Sequence, residues 1–371
     1  MGGLILSGDT LYGTASGGGS SDSGTVFSIK TNGASFTVLH SFTHGDGSGP
    51  QGTLLLSGNT LYGTANNGGT SGVGTVFKVD TDGNNFVTVH NFTGTGGEGA
   101  LPYAGLVLST SITGNTLYGT TFIGSAVIDG YTSIGTVFAV DTDGNNFRTL
   151  HSFPGGYYAA WPACRLLLSG NVLYGTTFGG GGDLINHGTI FSIDTSGNNF
   201  TTLHEFVGVS DGANPYAGLI FWHGILYGVN SCSSVGTPGT IFSVRTNGTD
   251  FTTLYSFTGG SDGKSPVGEL TLSGDTVYGT TVNGGSGGAG NGTVFRFTVP
   301  SPCAPATMNI AQYAGISLSG SIGCTYEIDY TTNLSNPTWI PLVTNTLSSS
   351  PFLFIDTNAI SGSRFYRAVT Q

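Results

Sequence analysis

The chain is poor in charge, and poorest in positive charge. Of its 371 residues only nine are Lys or Arg, charged residues make up 8%, and the formal net charge is −11. An ordinary domain carries about 25% charged residues. Phosphate neutralisation needs clustered basic side chains, and none cluster here, so no nucleic-acid partner is expected. Long apolar runs are missing as well: nothing approaches the roughly 18 residues of a membrane helix. No leader pattern is visible either, because Met1-Gly2-Gly3 runs straight into a strand-like segment. A start of that kind leads us to expect further sequence, or a first strand, upstream. Cysteine is scarce: Cys164, Cys232, Cys303 and Cys324 contain no CxxC pair, which argues against structural zinc.

Glycine, by contrast, is abundant, at 65 residues. No G-X-Y triplet period is present, which excludes collagen. The glycines sit instead at fixed places in a repeat. Leu11-Tyr12-Gly13-Thr14, a glycine-rich gap and Gly24-Thr25-Val26-Phe27 return five more times, with the tyrosines at 12, 62, 118, 174, 227 and 278. A period near fifty marks a repeat architecture.

Each repeat reads as four strands. Strand a (Leu4-Ile5-Leu6 in the first) ends in a tight Ser-Gly-Asp/Asn-Thr turn, strand b carries Leu-Tyr-Gly-Thr, and strand c follows a glycine loop as Gly-Thr-Val-Phe. Strand d is Phe36 to Phe42, whose alternation puts Phe36, Val38, His40 and Phe42 on one face and Thr37, Leu39 and Ser41 on the other. A lone four-stranded unit cannot bury both faces, so blades must stack, and a ring removes exposed edges. The expected fold is all-β: a six-bladed β-propeller over 1–298, with repeats beginning near 4, 54, 106, 166, 219 and 270. The sixth repeat has no strand d, because the chain enters Pro300, Pro302 and Pro305. Residues 299–305 then form a linker, and 306–371 read as a small antiparallel β-sandwich.

Leu-Tyr-Gly-Thr, the Gly-Gly loop, Gly-Thr-Val-Phe, Thr-Leu-His-Ser-Phe and Asp-Gly-x-x-Pro together resemble the tandem GloVer repeat of bacterial surface and secreted proteins. The repeat is also similar to a distant kelch blade. Tyr326 to Leu334, Trp339 and Phe365 to Val369 resemble a fibronectin-like module. These resemblances imply a secreted or surface propeller and imply no reaction.

Several residue sets invite chemistry. Asp80 and Asp82, repeated as Asp141 and Asp143, look like the start of a calcium loop, but no Glu completes the set and a plain hairpin turn is the favoured reading. His40, His90, His151 and His204 recur once per blade, as packing residues rather than one metal site. No metal and no cofactor is expected. Gly284 to Gly288 matches G-x-S-x-G without the strand–turn–helix context that motif needs. Alternating strands put the b–c and d–a loops on one end of the ring, and loops on a rigid scaffold favour binding. There the repeat is broken by Asp129 and Tyr131, by Tyr157, Tyr158 and Trp161, and by Asp183 and His187, which are the candidate ligand-binding residues. Aromatics beside carboxylates suit a sugar or peptide. Disulfides are expected at Cys164–Cys232 and Cys303–Cys324.

The first functional expectation is a non-enzymatic extracellular or cell-surface protein, structural or adhesive, whose partner is itself through exposed strand edges. The second is a propeller binding a surface glycan. The third is a polysaccharide hydrolase or lyase using Asp129 and Asp183, which rests on fold analogy alone.

Overall fold

A computed structural model describes residues 2–112, 114–124, 127–128, 131–132, 134–154, 161–180, 187–208, 210–231, 236–285, 290–299, 307–310, 315–321, 323–332, 337–348, 352–355 and 364–370. The described chain is all-β, built from antiparallel sheets. It divides into two compact units, Met1–Phe221 with Ile225–Leu272 and Val277–Arg296, and Phe297–Gln371 with Trp222–Gly224 and Ser273–Thr276.

The first unit carries the propeller, less a few turn and strand-end residues that group with the second. Blade one pairs Ile5–Ser7, Thr10–Ala15, Thr25–Lys30 and Thr37–Ser41 in the order a, b, c, d. Blades two to five repeat that order, with strands c at Thr75–Asp80, Thr136–Asp141, Thr189–Asp194 and Thr240–Arg245. Blade six has Thr271–Ser273, Thr276–Asn283 and Thr293–Thr298, and no described strand lies outside the last of these.

The recurrent glycines have steric reasons. A Cβ on Gly63 would lie 2.5 Å from the Phe77 ring and 2.9 Å from Leu54 Cδ2, and one on Gly175 would lie 2.5 Å from Phe191 and 2.9 Å from Leu166. The strand-b glycine therefore lets the strand-c phenylalanine lie flat across the backbone. A second glycine, just before Thr-Val-Phe, has positive φ and touches the proline of the next blade: Gly74 faces Pro102 and Gly239 faces Pro266. Thr64 Oγ1 adds an inter-blade hydrogen bond to Ala104 O at 2.8 Å.

Core clusters lie between neighbouring blades. Tyr12, Val26, Leu39 and Phe42 of blade one pack against Leu54, Leu61, Phe77 and Val79 of blade two, and the pattern recurs between later pairs. Here strand d departs from simple alternation. Val26 pairs with His40 and Phe27 with Val38, leaving Leu39 as the extra residue of a β-bulge. The same shift occurs in blades two to five. Leu39, His40 and Phe42 consequently all serve the contact with the next blade, while Phe86 at the start of the next strand d packs back toward them. The Asp-Gly-x-x-Pro segments also hold short strands that a pure turn would not: Ser48–Pro50 and Lys264–Pro266 pair with the far end of strand b.

The second unit contains two three-stranded sheets. Thr307–Ile310, Gly315–Ser319 and Phe352–Ile355 form one, and Ile340–Thr346, Thr325–Thr331 and Phe365–Thr370 the other. Ile316 and Leu318 of the first share a core with Tyr326 and Ile328 of the second. Cys324 is disulfide-bonded; Cys303 lies outside the described residues. The expected Cys164–Cys232 bridge does not form. Cys164 is a free, buried thiol whose sulfur accepts a hydrogen bond from Thr176 N at 3.2 Å, and burial raises its pKa. Cys232 is outside the described residues.

Candidate functional site

The strands a of all six blades converge on an axial tunnel, lined in turn by Gly2, Gly52, Ala104, Cys164, Ala217 and Glu269. Close approach of neighbouring strands keeps it narrow: a Cβ on Gly52 would lie 2.7 Å from Ala104 C. The residue before the strand-a leucine is Gly3, Thr53, Gly105 and Gly218 in four blades, but Arg165 in blade four and Glu269 in blade six. Arg165 Nε donates to Leu106 O of blade three at 3.3 Å, which turns the guanidinium along the tunnel wall. Toward the a–b turns the tunnel widens into a cavity of about 630 Å³ with Leu55, Leu108, Leu168, Ile220 and Leu272 on its walls and Arg165 and Glu269 among its lining. Such a funnel is chemically a place for an apolar group, with one charge of each sign.

At the loop end of the tunnel the structure gathers Trp161 with four aromatics that the repeat pattern did not single out. Tyr103 meets Phe122 edge-on at 5.4 Å, and Phe122 stacks on Trp161 at 6.3 Å. Phe178 and Tyr216 form a second edge-on pair at 5.7 Å. Trp161 was expected here. Its backbone takes the same left-handed pre-proline conformation as Leu101, Asn214 and Ser265, so its position belongs to the scaffold even though its ring is exceptional. His187 was expected on the loop surface and instead is buried, its ring lying against Gly208. Tyr131 lies in the short strand Tyr131–Thr132. Asp129, Tyr157, Tyr158 and Asp183 lie outside the described residues.

The acidic turns are engaged in structure. Asp80 accepts from Thr60 Oγ1 and Asn85 Nδ2, and Asp82 from Asn84 N and Nδ2. Asp141 and Asp143 repeat this with Thr116, Asn146 and Asn145. These own-turn hydrogen bonds hold Asp82 and Asp143 below the usual carboxylate range. Among the described residues no group of three or more His, Cys, Asp or Glu side chains is arranged to hold a metal ion.

The strand-d histidines form a ladder between blades. His40, His90, His151 and His204 stack parallel on Phe86, Phe147, Phe200 and Phe251 of the following blade, with centroids 3.5, 3.9, 3.8 and 3.6 Å apart. The carboxylate of the following turn receives the imidazole: His40 meets Asp46 at 3.0 Å and His204 meets Asp211 at 2.9 Å. The same Asp46 accepts Thr43 N, so one carboxylate closes the turn and orients the ring. Burial lowers the pKa of His40 against the opposing pull of Asp46, and lowers that of His90 as well. His151 follows no such acid in its turn, and burial pushes it down to about 4.

One feature breaks the symmetry of the blades. The strand-a leucine is 0–6% exposed in blades two to six, yet Leu4 of blade one is 55% exposed. On the last blade the strand-c Val294 is 79% exposed, where Val26, Val76, Val137, Ile190 and Ile241 are 0–3%. Tyr278 is 39% exposed against 1–9% for its five equivalents. The outward face of blade one and the outward face of blade six are thus both uncovered. They are the two halves of the contact that every internal pair of blades makes.

Sheets of this order around a common tunnel define a tandem-repeat β-propeller. The Gloeobacter/Verrucomicrobia repeat family matches residues 1–185 and 130–321, and the chain belongs to that family. No curated protein matches it. Among solved structures it is similar to an oligogalacturonate lyase in complex with manganese, at 14% identity, over 78% of this chain and 71% of that one, with a TM-score of 0.50. It is also similar to the extracellular domain of a hybrid two-component system from B. thetaiotaomicron, at 9% identity, over 86% of this chain and 37% of that one, with a TM-score of 0.50. These likenesses concern the propeller fold alone. No described helix is long and apolar enough to cross a membrane.

Proposed function

We propose that the protein is a non-enzymatic extracellular or cell-surface component, structural or adhesive, that works by assembling with other polypeptides. The observation that carries this reading is the pair of uncovered blade faces at Leu4 and at Tyr278 and Val294. Apolar faces of this kind, on blades whose counterparts are fully buried, mark association surfaces. The engagement of the recurrent His and Asp side chains in turns and stacks supports the same reading, because a catalytic group has to be available to a substrate. Low charge and a Thr-, Ser-, Asn- and Gly-rich surface fit an extracellular setting.

The test is sedimentation velocity of the full chain over a hundredfold concentration range, with electron microscopy of the same samples. Growth of defined larger species that Val294→Lys abolishes is expected. A sharp monomer at every concentration, with no particles or filaments in the images, would remove the reading.

A further inference from the structure

In blades one to five, strand d does three things along the outer edge of strand c. Its first phenylalanine packs on the strand-c phenylalanine of its own blade: Phe86 lies 5.9 Å from Phe77, Phe147 5.8 Å from Phe138, Phe200 5.7 Å from Phe191 and Phe251 5.8 Å from Phe242. In blades two to five that same ring is stacked upon by the histidine of the preceding blade. Its last phenylalanine donates a backbone hydrogen bond at 3.0 Å to the glycine that opens strand c: Phe42 to Gly24, Phe92 to Gly74, Phe153 to Gly135, Phe206 to Gly188 and Phe257 to Gly239.

Blade six presents every acceptor for these contacts. Phe295 stands in its strand c and meets Phe257 of blade five at 5.2 Å, as Phe242 meets Phe206 at 5.2 Å. Tyr255 of blade five occupies the place of the stacking histidine, is held by Asp262 at 3.0 Å, and is 42% exposed. Gly292 opens strand c with positive φ, like its counterparts. Among the described residues, strand Thr293–Thr298 pairs only with strand b. An unpaired edge with pockets at alternate side-chain positions is how extended peptides are captured by strand addition.

We propose that the outer edge of blade six is a strand-accepting site. Its ligand is an extended segment of another polypeptide with the pattern Phe-x-x-Leu-His/Tyr-x-Phe. The first phenylalanine of the ligand inserts between Tyr255 and Phe295, and its last donates from the backbone to Gly292 O. A bulge before the histidine is required, as in the five internal strands. The proposal rests on the assembly reading above and gives it a specific contact.

The test uses the full chain and a synthetic peptide with the sequence of Ser35–Thr43, which carries this pattern. Binding is followed by fluorescence anisotropy of the labelled peptide. Saturable binding is expected, and Phe36→Ala in the peptide or Tyr255→Ala in the protein should each weaken it roughly tenfold, the loss of one aromatic stack. A scrambled peptide should not bind. No saturation up to about 1 mM peptide, the weak limit of measurable affinity, overturns the proposal. So does equal binding of the scrambled or Phe36→Ala peptide. Thermal unfolding of Tyr255→Ala close to that of the parent chain separates lost recognition from lost fold. If the chain assembles while the peptide neither binds nor competes, the strand site is wrong and the assembly reading stands. If the peptide binds but the chain stays monomeric, the reverse holds.

Discussion

Replacing Gly63 or Gly175 by alanine is expected to destabilise the propeller by about 1–3 kcal/mol, the usual cost of forcing a methylene into a packed core. The added Cβ at Gly63 meets Phe77 at 2.5 Å and Leu54 at 2.9 Å, both of which are buried between blades and have nowhere to move. The same substitution at Gly13 meets Leu4 at 2.5 Å and Phe27 at 2.8 Å. Leu4 lies on the uncovered face and Phe27, unlike Phe77 and Phe191, is only half-buried, so both can give way and Gly13→Ala should cost well under ~1 kcal/mol. Part of that cost is offset by alanine's smaller loss of backbone entropy. Denaturant midpoints of the three variants measure this directly. Equal losses at all three positions would mean that blade one is as tightly enclosed as blade two.

The second large effect is a loss of stability in mild acid. The imidazole of His151 titrates near 4 in the folded protein, below its ordinary value of 6.5. An unfolded chain therefore takes up this proton as pH falls below about 6.5, while the folded chain resists until about 4. The stabilisation is complete above pH 6.5 and is lost progressively through that window, by up to about 3 kcal/mol for this one group. His40 and His90, also lowered by burial, act in the same direction. The carboxylates held low by their turn hydrogen bonds, such as Asp82 and Asp143, contribute only at more acidic pH, as they protonate. His151→Phe keeps a ring to stack on Phe200 and removes the titration. Its stability should fall by about 2 kcal/mol less than that of the parent between pH 7.5 and 4.5, measured by urea unfolding at each pH. Parallel curves for the two proteins would contradict the burial account.

Much of the propeller was legible because repetition carries physical information. Leu-Tyr-Gly-Thr and Gly-Thr-Val-Phe state the strand order, and the glycines between Leu54, Gly63 and Phe77 mark where a ring crosses a backbone. The bulge at Leu39 was not legible, since a regular alternation of Phe36, Val38 and His40 reads equally well without it. Nor was the short strand Ser48–Pro50, because Asp-Gly-x-x-Pro chemistry reads as a turn whether or not its proline end pairs with strand b. Leu4 and Leu54 are the same residue in the same motif. That one is exposed and the other buried depends on a neighbouring blade, which no local pattern reports. In the tunnel, Arg165 and Glu269 were not singled out, because they lie in different repeats and only the converging strands place both on one lining. Cys164 illustrates the opposite error: pairing by blade adjacency ignored that its sulfur would be enclosed beside Thr176.

Hydroxyl-radical footprinting of the unmodified chain, read residue by residue in dilute solution, tests the uncovered blade faces most directly. The account predicts that Leu4, Tyr278 and Val294 are oxidised several-fold faster than Leu54, Tyr62 and Val76, their buried counterparts in blade two. Equal protection of the two sets would mean that the first and last blades cover each other, and would contradict the account.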